Sequence, residues 1–264
     1  MSTLIDSHCH LDQLSQQTGE PLEAYLNSAR EAGISRFLNV SIRSDTIATI
    51  LDIAQQHSDI FASAGIHPNE HESSEPTVEQ LIEWAKPTKV IAVGETGLDY
   101  FHGNNPDKTL QQQRFRRHIQ AAREIKKPLI IHCREAANDT INILRQEGAE
   151  QTGGIMHCFV EDLATAEAAM ALGFYISLSG IVTFKNAKPL QQVVAQLPLE
   201  RLLVETDSPY LAPTPWRGKP NQPRYVTAVA EKVAELQQRS FESIAEATTT
   251  NFNTLFALPA AASA

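Results

Sequence analysis

No apolar run in the chain approaches the roughly 20 residues that a helix needs to cross a bilayer. The opening stretch, Met1 to Asp6, has no basic segment followed by a long apolar one, so nothing there reads as a secretory signal. Cysteine is scarce, with only Cys9, Cys133 and Cys158 among 264 residues. An odd count in so long a chain does not describe a disulfide framework and fits a reducing compartment. Basic residues are outnumbered, 22 against 31 acidic, giving a formal net charge of −9. Such a balance disfavours nonspecific attachment to nucleic acid or anionic lipid, although bound cations can make one site locally positive. No Gly/Ser linker or low-complexity segment divides the chain. The expectation is a cytoplasmic protein with one domain over residues 1–264, no membrane association and no obligate protein partner.

What is present is a regular alternation. Short runs rich in Val, Ile, Leu and Phe occur at Leu4–Ser7, Phe37–Ser41, Phe61–Ile66, Val90–Gly94, Leu129–Ile131, Gly154–Met156, Phe174–Ser179 and Leu202–Glu205. Several lack polar alternation, as expected for strands buried on both faces of a parallel sheet. Helical patterns lie between them. Pro21–Ala32 stops at Gly33, Thr77 with Gln80 fits a capping box, and Lys108–Lys126 ends before Pro128. Further helices are expected at Asp45–Gln56, Asp139–Glu147, Asp162–Leu172, Pro189–Leu197, Tyr225–Gln237 and Phe241–Phe256. Eight strand–helix repeats suggest an α/β fold, the (β/α)8 TIM barrel, with an open doubly wound sheet as the alternative. The Pro-rich stretch Pro209–Pro223 reads as a long functional loop.

The ionisable residues cluster at strand ends. His8 and His10 follow the first apolar run, Glu95 the fourth, His132 the fifth, His157 the sixth and Asp207 the eighth. In a parallel barrel such ends converge on the face where active sites form. Spacing of two on a strand points His8 and His10 the same way and Cys9 the other. Four imidazoles and two carboxylates exceed one catalytic tetrahedral zinc and suit two divalent ions. A carboxylate can bridge two ions, so we expect His8, His10, Glu95 and Asp207 on one, and Glu95, His132 and His157 on the other. All three cysteines read as buried small apolar residues and not as ligands, and His57, His71, His102 and His118 as surface residues. Any one of these residues alone is as easily a capping or hydrogen-bonding group; the recurrence carries the argument.

The segments Asp6-Ser-His-Cys-His-Leu-Asp12, Gly65-Ile-His-Pro68, Gly94-Glu-Thr-Gly-Leu-Asp-Tyr100, Ile131-His-Cys-Arg134, Met156-His-Cys-Phe159, Ser179-Gly-Ile-Val-Thr-Phe184 and Leu203 to Pro213 resemble the TatD family of metal-dependent hydrolases, in particular its bacterial YcfH-like branch. The resemblance covers nearly the whole chain. It implies a TIM barrel of the metallo-dependent hydrolase type, a two-metal site on the six residues above with Glu95 as the bridge, and deoxyribonuclease activity of 3′–5′ exonuclease type with DNA as substrate. On that reading a water bridging the ions is deprotonated near neutral pH and attacks phosphorus, and Asp207 takes the nucleophile's proton.

Around this set, Arg134 has a fork suited to phosphate, and His67 can hydrogen-bond substrate or water. Glu205 can orient a ligand histidine, and Tyr100, next to Asp99, can stack a base or pack its loop. Arg217, Lys219 and Arg224 read as a solvated charged loop. Four histidines favour Zn, Mn, Fe or Ni, whereas the family resemblance implies Mg. The competing function is hydrolysis of a small ester, amide or aminoacyl ester by the same nucleophile. A structural zinc role fits poorly, because the candidate ligands are dispersed and none is a thiolate.

Overall fold

The computed structural model describes residues 3–102 and 106–259. The chain runs β1 (Leu4–Cys9), α1 (Leu11–Thr18), α2 (Leu22–Glu31), β2 (Ile34–Asn39), α3 (Ile47–Gln56), β3 (Ile60–Ala64), α4 (Val78–Ala85), β4 (Val90–Asp99), α5 (Lys108–Ile125), β5 (Leu129–Arg134), α6 (Ala137–Gln146), β6 (Gly154–Met156), α7 (Leu163–Met170), β7 (Phe174–Leu178), α8 (Lys188–Val194), β8 (Leu202–Val204), α9 (Val226–Gln237) and α10 (Phe241–Leu255). The sheet order is β1 to β8 in chain sequence, with parallel pairing of β1 to β2, β3 to β4, β4 to β5, β5 to β6 and β7 to β8. This is the (β/α)8 arrangement expected from the apolar runs.

Two compact units divide the chain: a split unit of Met1–Asn39 with Ile176–Ala264, and a continuous unit of Val40–Tyr175. In the split unit β1 lies between β2 and β8. Leu4 pairs with Ile34, and the Ser7 hydroxyl donates to Val204 O at 3.0 Å. Past the end of β8 the contact continues: Asp207 N–H donates to His8 O at 2.9 Å and His10 N–H to Ser208 O at 2.8 Å.

In the continuous unit every residue of β4 is buried, as a strand covered on both faces requires. β4 and β5 run further than their apolar runs, because Thr96 to Asp99 pair with Ile131 to Arg134. Gly97 permits that pairing: at φ 136°, a Cβ there would lie 2.0 Å from His132 O. The capping box of α4 is present, with Thr77 Oγ1 accepting from Gln80 N–H and Gln80 Oε1 accepting from Thr77 N–H.

Helix α1 was not expected. It starts directly after His10 without a side-chain cap, so its sequence carries no start signal, and it ends at Gly19 in the left-handed region. Among the described residues no helix is long and apolar enough to cross a membrane.

Candidate metal centre

The split unit gathers three donors. His8 and His10 project to one side of β1, their Nε2 atoms 3.3 Å apart. Asp207 Oδ1 lies 3.2 Å from His10 Nε2 and 3.7 Å from His8 Nε2. Two nitrogens held at 2.0–2.1 Å by one tetrahedral ion sit about 3.3 Å apart, so this spacing fits a shared cation. Cys9 faces away, its thiol against Leu38 O.

Backbone anchors place these donors. The buried Asp6 carboxylate accepts from Thr206 N–H at 2.9 Å and from the Thr206 hydroxyl at 2.6 Å. The Asn221 amide, from the Pro-rich stretch, donates to Thr206 O and Tyr210 O on either side of Asp207. Asp207 itself holds φ 58°, a conformation that aspartate tolerates better than most side chains. Glu205 is buried one residue beyond β8, its N–H donating to Leu178 O.

The continuous unit gathers more. Glu95 Oε1 lies 3.2 Å from His132 Nδ1, 3.5 Å from His157 Nε2 and 3.5 Å from His67 Nε2. His67, Glu95 and His132 form one geometric group able to surround a cation, but the far nitrogens of the two rings differ in role. His67 Nδ1 accepts from Asn69 N–H at 3.1 Å. The proton of a neutral His67 therefore sits on Nε2, and that nitrogen faces Glu95 as a donor instead of a ligand. Burial and the neighbouring His132 push the His67 pKa down to about 3, so the ring is neutral at physiological pH. His132 is the opposite case. Its Nε2 faces the acceptor Asp99 Oδ2 at 3.1 Å, leaving Nδ1 available toward Glu95. Burial opposes a charge on His132, yet Asp99 and Glu95 outweigh it and hold its pKa up.

A buried scaffold supports the His67 segment. Arg114 on α5 donates to His67 O at 2.8 Å and pairs with Glu75, Nε to Oε2 at 2.9 Å. His118, one turn on, accepts from Ile66 N–H through Nε2 and faces Arg114 O through Nδ1. His118 was expected on the surface. It is buried, because α5 turns the face bearing Arg114 and His118 inward despite its polar sequence. The cysteine expectation also needs correction: Cys9 is buried, whereas Cys133 and Cys158 are half-buried.

Arg134 follows His132 by two on β5 and lies over the ring of Phe101, 4.8 Å from its centroid. Tyr100 is occupied within its own unit. Its hydroxyl donates to Asp139 at 2.8 Å, accepts from Gln112 at 2.9 Å, and Lys108 lies over its ring. The exposed ring at this edge is Phe101, 52% accessible, a residue that strand and motif reasoning passed over. Arg217 lies over Phe184, and Arg224 donates to Ser28 Oγ. Asn69 and Arg114 escape the sequence reading, and Asp99 and His118 receive no role at the site in it, since no spacing in the sequence announces a partner behind an imidazole.

Comparison with known proteins gives one consistent result. The family model described as TatD related DNase matches residues 5–257. The uncharacterised metal-dependent hydrolase YcfH of Escherichia coli K12 is 44% identical over 260 residues, covering 97% of each chain. YabD of Bacillus subtilis, also named an uncharacterised metal-dependent hydrolase, is 41% identical, covering 96% of this chain and 98% of its own. The crystal structure of YjjV, a TatD homologue from Escherichia coli K12, is similar with a TM-score of 0.89 at 32% identity, covering 97% of this chain and 98% of that one. The chain belongs to the TatD family of metal-dependent hydrolases.

Proposed function

We propose that the protein is a phosphodiesterase acting on DNA from a 3′ end, using two divalent ions. His8, His10 and Asp207 would hold one ion and His132 and His157 the other, with Glu95 as the carboxylate that would serve both. The ions come from Zn, Mn, Mg, Fe or Ni, with the histidine-rich donor set leaning toward the first-row transition metals. When bound they supply Lewis-acid polarisation and a water whose pKa falls to about 7.

The chain's own groups do the rest. Arg134 binds the phosphate by its guanidinium fork. His67 donates a hydrogen bond through Nε2. Asp207 accepts the proton lost by the nucleophile. The observation that carries the phosphodiester reading is the Arg134 guanidinium lying over the exposed Phe101 ring, two residues after His132 on β5. It offers a cation for phosphate next to a flat apolar face for a base.

The test is release of nucleotides from single-stranded DNA with a free or a blocked 3′ end, followed for the metal-loaded protein. Release only from the free end is expected. Glu95→Ala should abolish it, and Phe101→Ala should raise KM for DNA about tenfold, within the 1–3 kcal/mol of one base–aromatic stack. Turnover of a small ester with none of DNA, and indifference to Phe101→Ala, would install the second reading, a small-ester or amide hydrolase, which the net charge of −9 favours.

A further inference from the structure

Asp99 lies at the end of β4, paired in register with Arg134. Its main chain is bracketed by the buried amide of Gln111, which accepts from Asp99 N–H at 2.8 Å and donates to Asp99 O at 3.0 Å. Its carboxylate is almost wholly buried, 1% accessible. The two oxygens have different duties. Oδ1 accepts from Phe101 N–H at 3.0 Å and His102 N–H at 3.3 Å. Oδ2 accepts from the Asn69 amide at 3.1 Å and faces His132 Nε2 at 3.1 Å. His102 Nδ1 approaches both oxygens, at 3.2 and 3.0 Å.

We propose that Asp99 is the positioning residue that fixes the proton of His132 on Nε2, so that Nδ1 is presented as a metal ligand. The inference rests on the reading of His132 as a ligand and adds what selects the ligating atom. The physical reason is donor–acceptor bookkeeping at one carboxylate. Two backbone donors commit Oδ1 as an acceptor, so the carboxylate cannot rotate away. An ionised Oδ2 can only accept, so the nitrogen facing it must carry hydrogen. His132 Nδ1 faces Glu95 Oε1 at 3.2 Å, so a proton there is the one that an ion displaces, leaving Nδ1 a lone pair while Asp99 keeps hydrogen on Nε2. Outer partners of this kind are worth about 10–100-fold in metal affinity.

The decisive variant is Asp99→Asn, which keeps the shape. The backbone donors of Phe101 and His102 hold the asparagine oxygen at the Oδ1 position. Its NH2 group then occupies the Oδ2 position and donates to His132 Nε2. Asn69 accommodates the change by turning its own amide, whose Oδ1 is buried without a hydrogen-bond partner. The His132 proton is driven onto Nδ1, where it competes with the ion. The experiment combines nitrogen NMR of 15N-histidine-labelled, chelator-stripped protein with calorimetric titration of zinc into it, for wild type, Asp99→Asn and His132→Ala.

Expected are an Nε2–H His132 in the wild type, an Nδ1–H ring in Asp99→Asn, an unchanged melting temperature for that variant, and zinc affinity lowered about 10–100-fold. A wild-type His132 protonated on Nδ1 alone, or equal zinc affinity in Asp99→Asn and wild type while His132→Ala loses binding, overturns the inference alone. Unchanged zinc binding by His132→Ala removes His132 from the metal centre and overturns both readings.

Discussion

The split unit and the continuous unit each bring imidazoles and a carboxylate together, by different means. In the split unit the anchors grip main chain. Asp6 takes Thr206 N–H, Asn221 takes carbonyls flanking Asp207, and Asp207 N–H reaches His8 O. In the continuous unit the anchors also reach the rings, with Asp99 at His132 Nε2 and Asn69 N–H at His67 Nδ1. The main-chain anchors set where the strand ends stand. The ring anchors bear on which nitrogen carries the proton, since His67 Nδ1 accepts and His132 Nε2 faces an acceptor.

The sharpest break in this comparison is at the donors themselves. His10→Ala in the split unit and His132→Ala in the continuous unit should each abolish hydrolysis and weaken divalent-metal binding by more than about 100-fold, beyond the loss expected from an outer partner. Metal analysis with titration checks it, and wild-type metal content in either variant would remove that cluster from the centre.

Next in size is the scaffold under His67. Glu75→Ala leaves the buried Arg114 guanidinium uncompensated and should cost about 3–5 kcal/mol in chemical denaturation. A loss below about 1 kcal/mol would show that Arg114 does not depend on Glu75.

His118 gives the comparison a pH axis. Burial pushes its pKa down to about 4, and both its nitrogens are satisfied in the neutral form. Between about pH 6.5 and 4 the unfolded chain binds a proton that the folded chain refuses, so stability falls as pH drops through that window. The shift corresponds to on the order of 3 kcal/mol. His118→Gln should flatten the slope in melts from pH 7 to 4; an unchanged slope would assign the acid sensitivity elsewhere.

The smallest effect is expected in the split unit, where Asn39 Oδ1 accepts Leu11 N–H at 2.9 Å as α1 begins. Asn39→Ala should cost about 1–2 kcal/mol and leave metal content near normal. If it cost as much as Glu75→Ala, the contrast between backbone and side-chain anchoring would not hold.

Much of this architecture was legible beforehand because it rests on period and polarity. The eight apolar runs are strands, and His8 and His10 share a side because strand residues two apart must. What was hidden depends on register and on partners across elements. Gly97 and Asp99 look like loop residues until β4 is seen paired with β5. His118 looks like a solvent residue on a polar helix until Arg114 is found buried beside it. The choice between Tyr100 and Phe101 as the exposed ring turns on a hydrogen bond to Asp139, 39 residues away, which no local pattern encodes.

The split unit also sets a schedule for synthesis. Its Asp6–Thr206 latch joins residues 200 apart in the chain, and Asp207 stands one residue beyond. The continuous unit carries Glu95, His132 and His157 within a single uninterrupted piece. Translation runs from the N-terminus, so a nascent chain holds Glu95, His132 and His157 while His8 and His10 still await Asp207. The three clustered donors of the split unit, His8, His10 and Asp207, therefore come together only after the last strand, β8, and the three residues that follow it have been made.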